Sequence, residues 1–97
     1  MHPSLRVRAI EDALVDGLEA DHVKVVDNSA GHANHTGAED GGGHFAVVVV
    51  SRAFRGLSRI AAQKLVYETL AELMANDIHA LSMRTFTPEQ WTADHPP

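Results

Sequence analysis

Cysteine is missing from all 97 residues. No disulfide can form, which is compatible with a reducing compartment, and the chain cannot itself supply a thiolate to a metal or cluster. Aromatic residues are scarce, five in all, so the core must be built mostly from Val, Leu, Ile and Ala. Long apolar runs are also lacking. The longest, Phe45–Val50, falls well short of the roughly 20 residues that a membrane-spanning helix requires. Basic residues are the minority, 8 against 13 acidic ones, for a net charge of −5, which argues against a large nucleic-acid footprint. Arg6 and Arg8 are followed by Glu11 and Asp12 with no apolar segment behind them, so no secretory signal is visible. The expectation is one soluble, cytoplasmic domain over residues 1–97, with its core at about 5–91 and residues 92–97 as a frayed tail.

The apolar pattern divides that domain into elements. Ile10, Ala13, Leu14, Gly17 and Leu18 recur at three and four, predicting an amphipathic helix over Pro3–Leu18. His22–Asn28 reads as a strand. Ser29–Gly43 is rich in glycine and has no period, and it reads as a long loop carrying His32 and His35. His44–Ser51 is apolar in both parities, the pattern of a central strand covered on each side. Paired with His22–Asn28 it makes an antiparallel hairpin.

Arg52–Leu57 turns the chain, with Gly56 supplying backbone freedom. Ser58 is placed to cap a helix running to about Asn76, whose buried stripe is Ala62, Val66, Leu70, Leu73 and Met74. Asp77–Trp91 is the densest stretch. Ile78–Arg84 alternates as a strand, and period two puts His79 on one face with Leu81 and Met83. Thr87-Pro88-Glu89-Gln90 is a capping box with proline at the first helical position, and Phe86 and Trp91 stand at the two ends of a hydrophobic staple. The order helix, strand, strand, helix, strand, short helix implies an α+β domain, a three-stranded sheet with helices packed on one face.

Four pieces of this chain resemble the BolA-like family: V-V-D-N-S-A-G-H (Val25–His32), G-H-F-A-V-V-V-V-S (Gly43–Ser51), F-R-G-L-S (Phe54–Ser58), and I-H-A-L-S-M followed by T-P-E-Q-W. Their order and spacing cover roughly Leu5 to Trp91. The resemblance implies an α-β-β-α-β(-α) arrangement related to class II KH domains. It also implies a non-enzymatic partner of a monothiol glutaredoxin of the Cys-Gly-Phe-Ser type. The pair would hold a bridging [2Fe–2S] cluster, completed by the glutaredoxin cysteine and glutathione, for iron–sulfur trafficking or iron sensing. None is expected in the isolated protein. Family membership maps one ligand onto His79, in its His-Ala-Leu context, and a second onto His32, with His35 as the alternative. Arg-His-Arg, frequent in the long helix of the family, is replaced here by Ala62-Gln63-Lys64.

Imidazole in place of thiolate on one iron raises a cluster's reduction potential and makes ligation sensitive to protons. His44, opening the central strand, reads as a partly buried histidine bonded to backbone, and His2, His22 and His95 as surface residues. Arg52, Arg55, Arg59 and Lys64 gather around the turn, where they form either a solvated helix face or a contact for a glutaredoxin or for DNA phosphates. A DNA-binding regulator is therefore the second reading. The chain has no Gly-x-x-Gly loop between two helices and no aromatic platform beside the basic cluster. A small hydrolase using His32, His35 and His44 ranks last, because no carboxylate is placed as a general base.

Overall fold

In the computed structural model the described residues are 3–28 and 43–94. They form α1 (Pro3–Leu18), β1 (His22–Asp27), β2 (Gly43–Val50), a short 3-10 turn (Arg52–Phe54), α2 (Arg59–Thr69), α3 (Ala71–Asn76), β3 (Ile78–Phe86) and α4 (Pro88–Asp94). The sheet runs in the order β1-β2-β3. β1 pairs with β2 antiparallel and β3 pairs with β2 parallel. A parallel neighbour requires a crossover, and α2 and α3 supply it.

One face of the sheet carries the main core. Phe45, Val47 and Val49 point to Ile10, Leu14 and Leu18 of α1, to Ala62 and Val66 of α2 and to Leu70 just beyond it, all of them buried. The apolar stripes of both long helices are thereby accounted for. Ser58 caps α2 as expected, its Oγ accepting from Ala61 N–H at 3.1 Å. Gly56 takes a positive φ of 77° in the preceding turn.

The long helix is not continuous. It bends at Leu70, whose φ of −99° and ψ of 15° separate α2 from α3. Thr69 Oγ1 donates back to the Leu65 carbonyl at 2.8 Å, a bond that competes with regular helix geometry and bends it. Leu70 N–H still reaches Val66 C=O and Met74 N–H reaches Leu70 C=O. The stripe predicted from the sequence therefore survives the bend.

Among the described residues, the central strand is not covered on both sides along its length. His44, Ala46 and Val48 face away from α1 and α2 and are only half-buried. At the other end of this open face Val50, paired with His22 and Phe86, is buried. The cover there is α4. Trp91 stacks on His22 at 4.9 Å and meets Phe86 edge-on at 5.3 Å. The two long helices share one face as expected, while α4 lies against the opposite one. Its capping box is reciprocal: Gln90 N–H donates to Thr87 Oγ1 at 3.1 Å, and Thr87 N–H donates to Gln90 Oε1 at 2.8 Å. The helix so nucleated continues through Asp94, so residues 92–94 are helical where a frayed tail was expected.

Ser51 ties the two ends of the core together. It is fully buried, its Oγ donates to the Leu18 carbonyl at 2.6 Å and accepts from Ala53 N–H at 3.0 Å. Leu18 ends α1, and Glu19 follows it in the left-handed region at φ 48°, the conformation that closes many helices.

Candidate functional site

The pairing of β3 with β2 slips at one point. Gly43 pairs with Ile78 but His44 pairs with Ala80, so His79 is an extra, unmatched residue. A bulge of this kind re-aims the side chains on either side of it. Ile78 is buried, and Leu81 and Met83 pack on the main core, whereas His79 is exposed. Period two alone put His79 with Leu81 and Met83. The structure moves it instead beside His44, ring centroids 5.2 Å apart and tilted by 40°. This juxtaposition is not visible in the sequence, because no local residue type announces the slip.

Both chain segments that bound residues 29–42 meet the sheet at this same end. Asn28 N–H donates to the His44 carbonyl at 2.7 Å, and Gly43 N–H donates to the Asp77 carbonyl at 3.0 Å. His32 and His35 themselves lie outside the described residues. Among the described residues no group of three or more His, Cys, Asp or Glu side chains is arranged to hold a metal. His79 is thus a lone accessible imidazole with a second imidazole against it.

The basic cluster is broken up by acids. Arg55 makes a two-pronged pair with Glu89, Nε to Oε1 at 2.8 Å and Nη2 to Oε2 at 2.7 Å. The hydrogen bond from Arg55 holds the Glu89 carboxyl below its usual range, and the same bond raises Arg55. Arg52 lies 3.9 Å from Glu19. Arg59 and Lys64 are exposed on α2. The turn therefore offers less free positive charge than the sequence suggested.

The comparisons with known proteins agree with the fold. The BolA-like protein family matches residues 6–90. The chain belongs to the BolA family. It is 42% identical over 82 residues to the DNA-binding transcriptional regulator BolA of Vibrio cholerae, covering 84% of this chain and 74% of that one. It is 39% identical over 83 residues to BolA-like protein 1 of Mus musculus, spanning 86% of this chain but only 58% of the mouse protein. Among solved structures, the bol-like protein from Babesia bovis superposes with a TM-score of 0.75 at 32% identity, covering 91% of each chain. The BolA domain of SufE1 from Arabidopsis thaliana gives 0.75 at 33% identity, covering 87% of this chain and 93% of that one. Among the described residues of this BolA-family chain no helix is long and apolar enough to cross a membrane.

Proposed function

We propose that this BolA-family protein is a non-enzymatic partner of a monothiol glutaredoxin and co-ligates a bridging [2Fe–2S] cluster in iron–sulfur trafficking or iron sensing. The observation that carries this reading is His79, exposed on a bulge at the end of the sheet where both anchors of the 29–42 segment converge. His79 supplies one imidazole ligand, and His32, or His35 in its place, supplies the second from that segment. The partner's cysteine and a glutathione thiol complete the set. Histidine ligation raises the cluster's reduction potential relative to an all-thiolate site. The chain's own contribution is to hold the ring: the bulge sets its direction and His44 flanks it.

Titration of the protein into a [2Fe–2S] glutaredoxin, followed by visible absorption and circular dichroism, tests this. A saturable one-to-one spectral change that weakens with His79→Ala supports the assignment. An identical spectrum with the variant removes His79 from the ligand set.

The second reading, a KH-like DNA-binding regulator located in the cytoplasm, draws on the name of the Vibrio cholerae relative, a DNA-binding transcriptional regulator, and on exposed Arg59 and Lys64. Salt-dependent retardation of duplex DNA, lost on Arg59→Glu with Lys64→Glu, would favour it. Absence of retardation at low salt would eliminate it.

A further inference from the structure

Among the described residues β3 is an edge strand, paired only with β2. The Phe86 carbonyl accepts from Ser51 N–H across the β2 side at 3.0 Å. Because backbone groups alternate in direction along a strand, Arg84 and Ser82 also turn toward β2. Met83 and Thr85 turn their N–H and C=O outward. No backbone partner meets them among the described residues. An exposed row of this kind is a template for another strand.

This edge is one wall of a groove of about 420 Å³, within the usual range of ligand sites. Met83, Arg84 and Thr85 line one side, and Phe54, Leu57 and Arg59 line the other. Leu57 is 42% exposed at the lip. The charged residues lining the groove are two arginines, with no acid among them, on a chain whose net charge is −5. Arg59 and Arg84 make no ion pair with a described acid, and the Arg84 guanidinium lies over the Phe86 ring at 5.1 Å, on the α4 face of the sheet. Phe54 and Leu57 in the lining, an unpaired backbone edge and locally positive charge together select a particular occupant.

We infer that this groove takes an extended, acidic segment of a protein partner, which joins the outer edge of β3 as a fourth strand. Main-chain hydrogen bonds to Met83 and Thr85 supply the register. Alternate side chains of the guest enter the groove over Phe54 and Leu57, with Arg59 at the rim, and the carboxylates between them turn to the opposite face, where Arg84 lies over Phe86. Thr85 lies six positions beyond His79, or about 20 Å along a strand. The groove and the His79 end are therefore separate, and this inference does not rest on the proposed cluster role.

The test uses a fluorescein-labelled hexapeptide of alternating glutamate and valine, read by anisotropy and by amide NMR of the full chain. Saturable binding that shifts the Met83 and Thr85 amide resonances is expected. Thr85→Pro removes one outward donor, a substitution that edge strands accept, and should weaken binding about tenfold, as should Arg59→Glu. A peptide methylated on alternate amide nitrogens should fail to bind the unaltered protein, which keeps the test decisive if Thr85→Pro does not fold. His79→Ala should leave peptide binding unchanged. No binding, or binding indifferent to amide methylation, would overturn the inference. Binding of a labelled decathymidine in place of the peptide would assign the groove to nucleic acid instead.

Discussion

The imidazoles of His44 and His79 meet at 5.2 Å because one residue of β3 has no partner in β2. Without that slip, strict alternation would put His79 on the helix-covered face, where Leu81 and Met83 pack. The bulge thus separates the residue proposed to bind from the residues that fold.

Deletion variants test this relationship. Removing Ala80 should close the bulge, keep a histidine opposite His44 and leave Leu81 onward in register. Its stability should stay close to that of the parent in a urea melt. Removing Ser82 lets the bulge absorb the loss only by turning Leu81 outward and Ala80 inward, at about 2–3 kcal/mol. Equal destabilisation by the two deletions would contradict the register described here.

Gly17 gives α1 room to approach α2. A Cβ built there would stand 2.6 Å from Thr69 Cγ2, and Thr69 cannot rotate freely without losing its bond to the Leu65 carbonyl. Gly17→Ala should therefore destabilise by about 1–3 kcal/mol despite alanine's better helix propensity. Thr69→Ser removes the obstructing methyl and should restore the double variant to at least parental stability. Chemical denaturation of the three variants decides the matter.

Ser51 satisfies the last turn of α1 from the end of β2. Ser51→Ala leaves the Leu18 carbonyl without that donor in a buried place, at about 1–3 kcal/mol. For a domain of this size the melting point should fall roughly 4–8 °C for each kcal/mol. Ser51→Thr, which keeps the hydroxyl, should lose less than Ser51→Ala if the hydrogen bond is what matters.

The Arg55–Glu89 pair sets one acid-side dependence. Glu89 titrates lower in the folded chain than its ordinary value of 4.5, chiefly through the Arg55 hydrogen bond. Its contribution is thus present at neutral pH and is lost as pH falls through the lowered folded-state value. Both groups are solvent-exposed, so the effect is small and fades with salt. A double-mutant cycle with Arg55→Ala and Glu89→Gln should show coupling at pH 7 and low salt. At pH 2 the coupling should be gone.

Local chemistry made much of this legible in the sequence. Ser58, the Thr87–Gln90 box and the Phe86–Trp91 staple are caps whose partners lie within five residues, and all three form as read. The stripes of α1 and α2 follow from period alone. What escaped reading depends on the third dimension. The bend at Leu70 turns on a side chain bonding back to its own helix. α4 crosses to the face opposite the long helices because Trp91 finds Phe86 and His22 there. The bulge at His79 and the pairing of Arg55 with Glu89 join residues far apart in the chain. His79 is singled out only by its resemblance to a family motif, and its juxtaposition with His44 is a property of the sheet.

The parallel pairing of β2 with β3 also sets the order in which the chain can assemble. β2 reaches β1 across residues 29–42 and β3 across the segment that holds α2 and α3, so each pairing closes a long stretch of chain. Neither contact is a short hairpin, so helices form on local contacts while the sheet waits on closures that cost entropy. During that wait the run Phe45–Val50 stands uncharged, free of proline and rich in β-branched residues. Such a segment self-associates readily when unpaired. The strand at the centre of the native sheet is therefore also the chain's principal aggregation hazard before folding is complete.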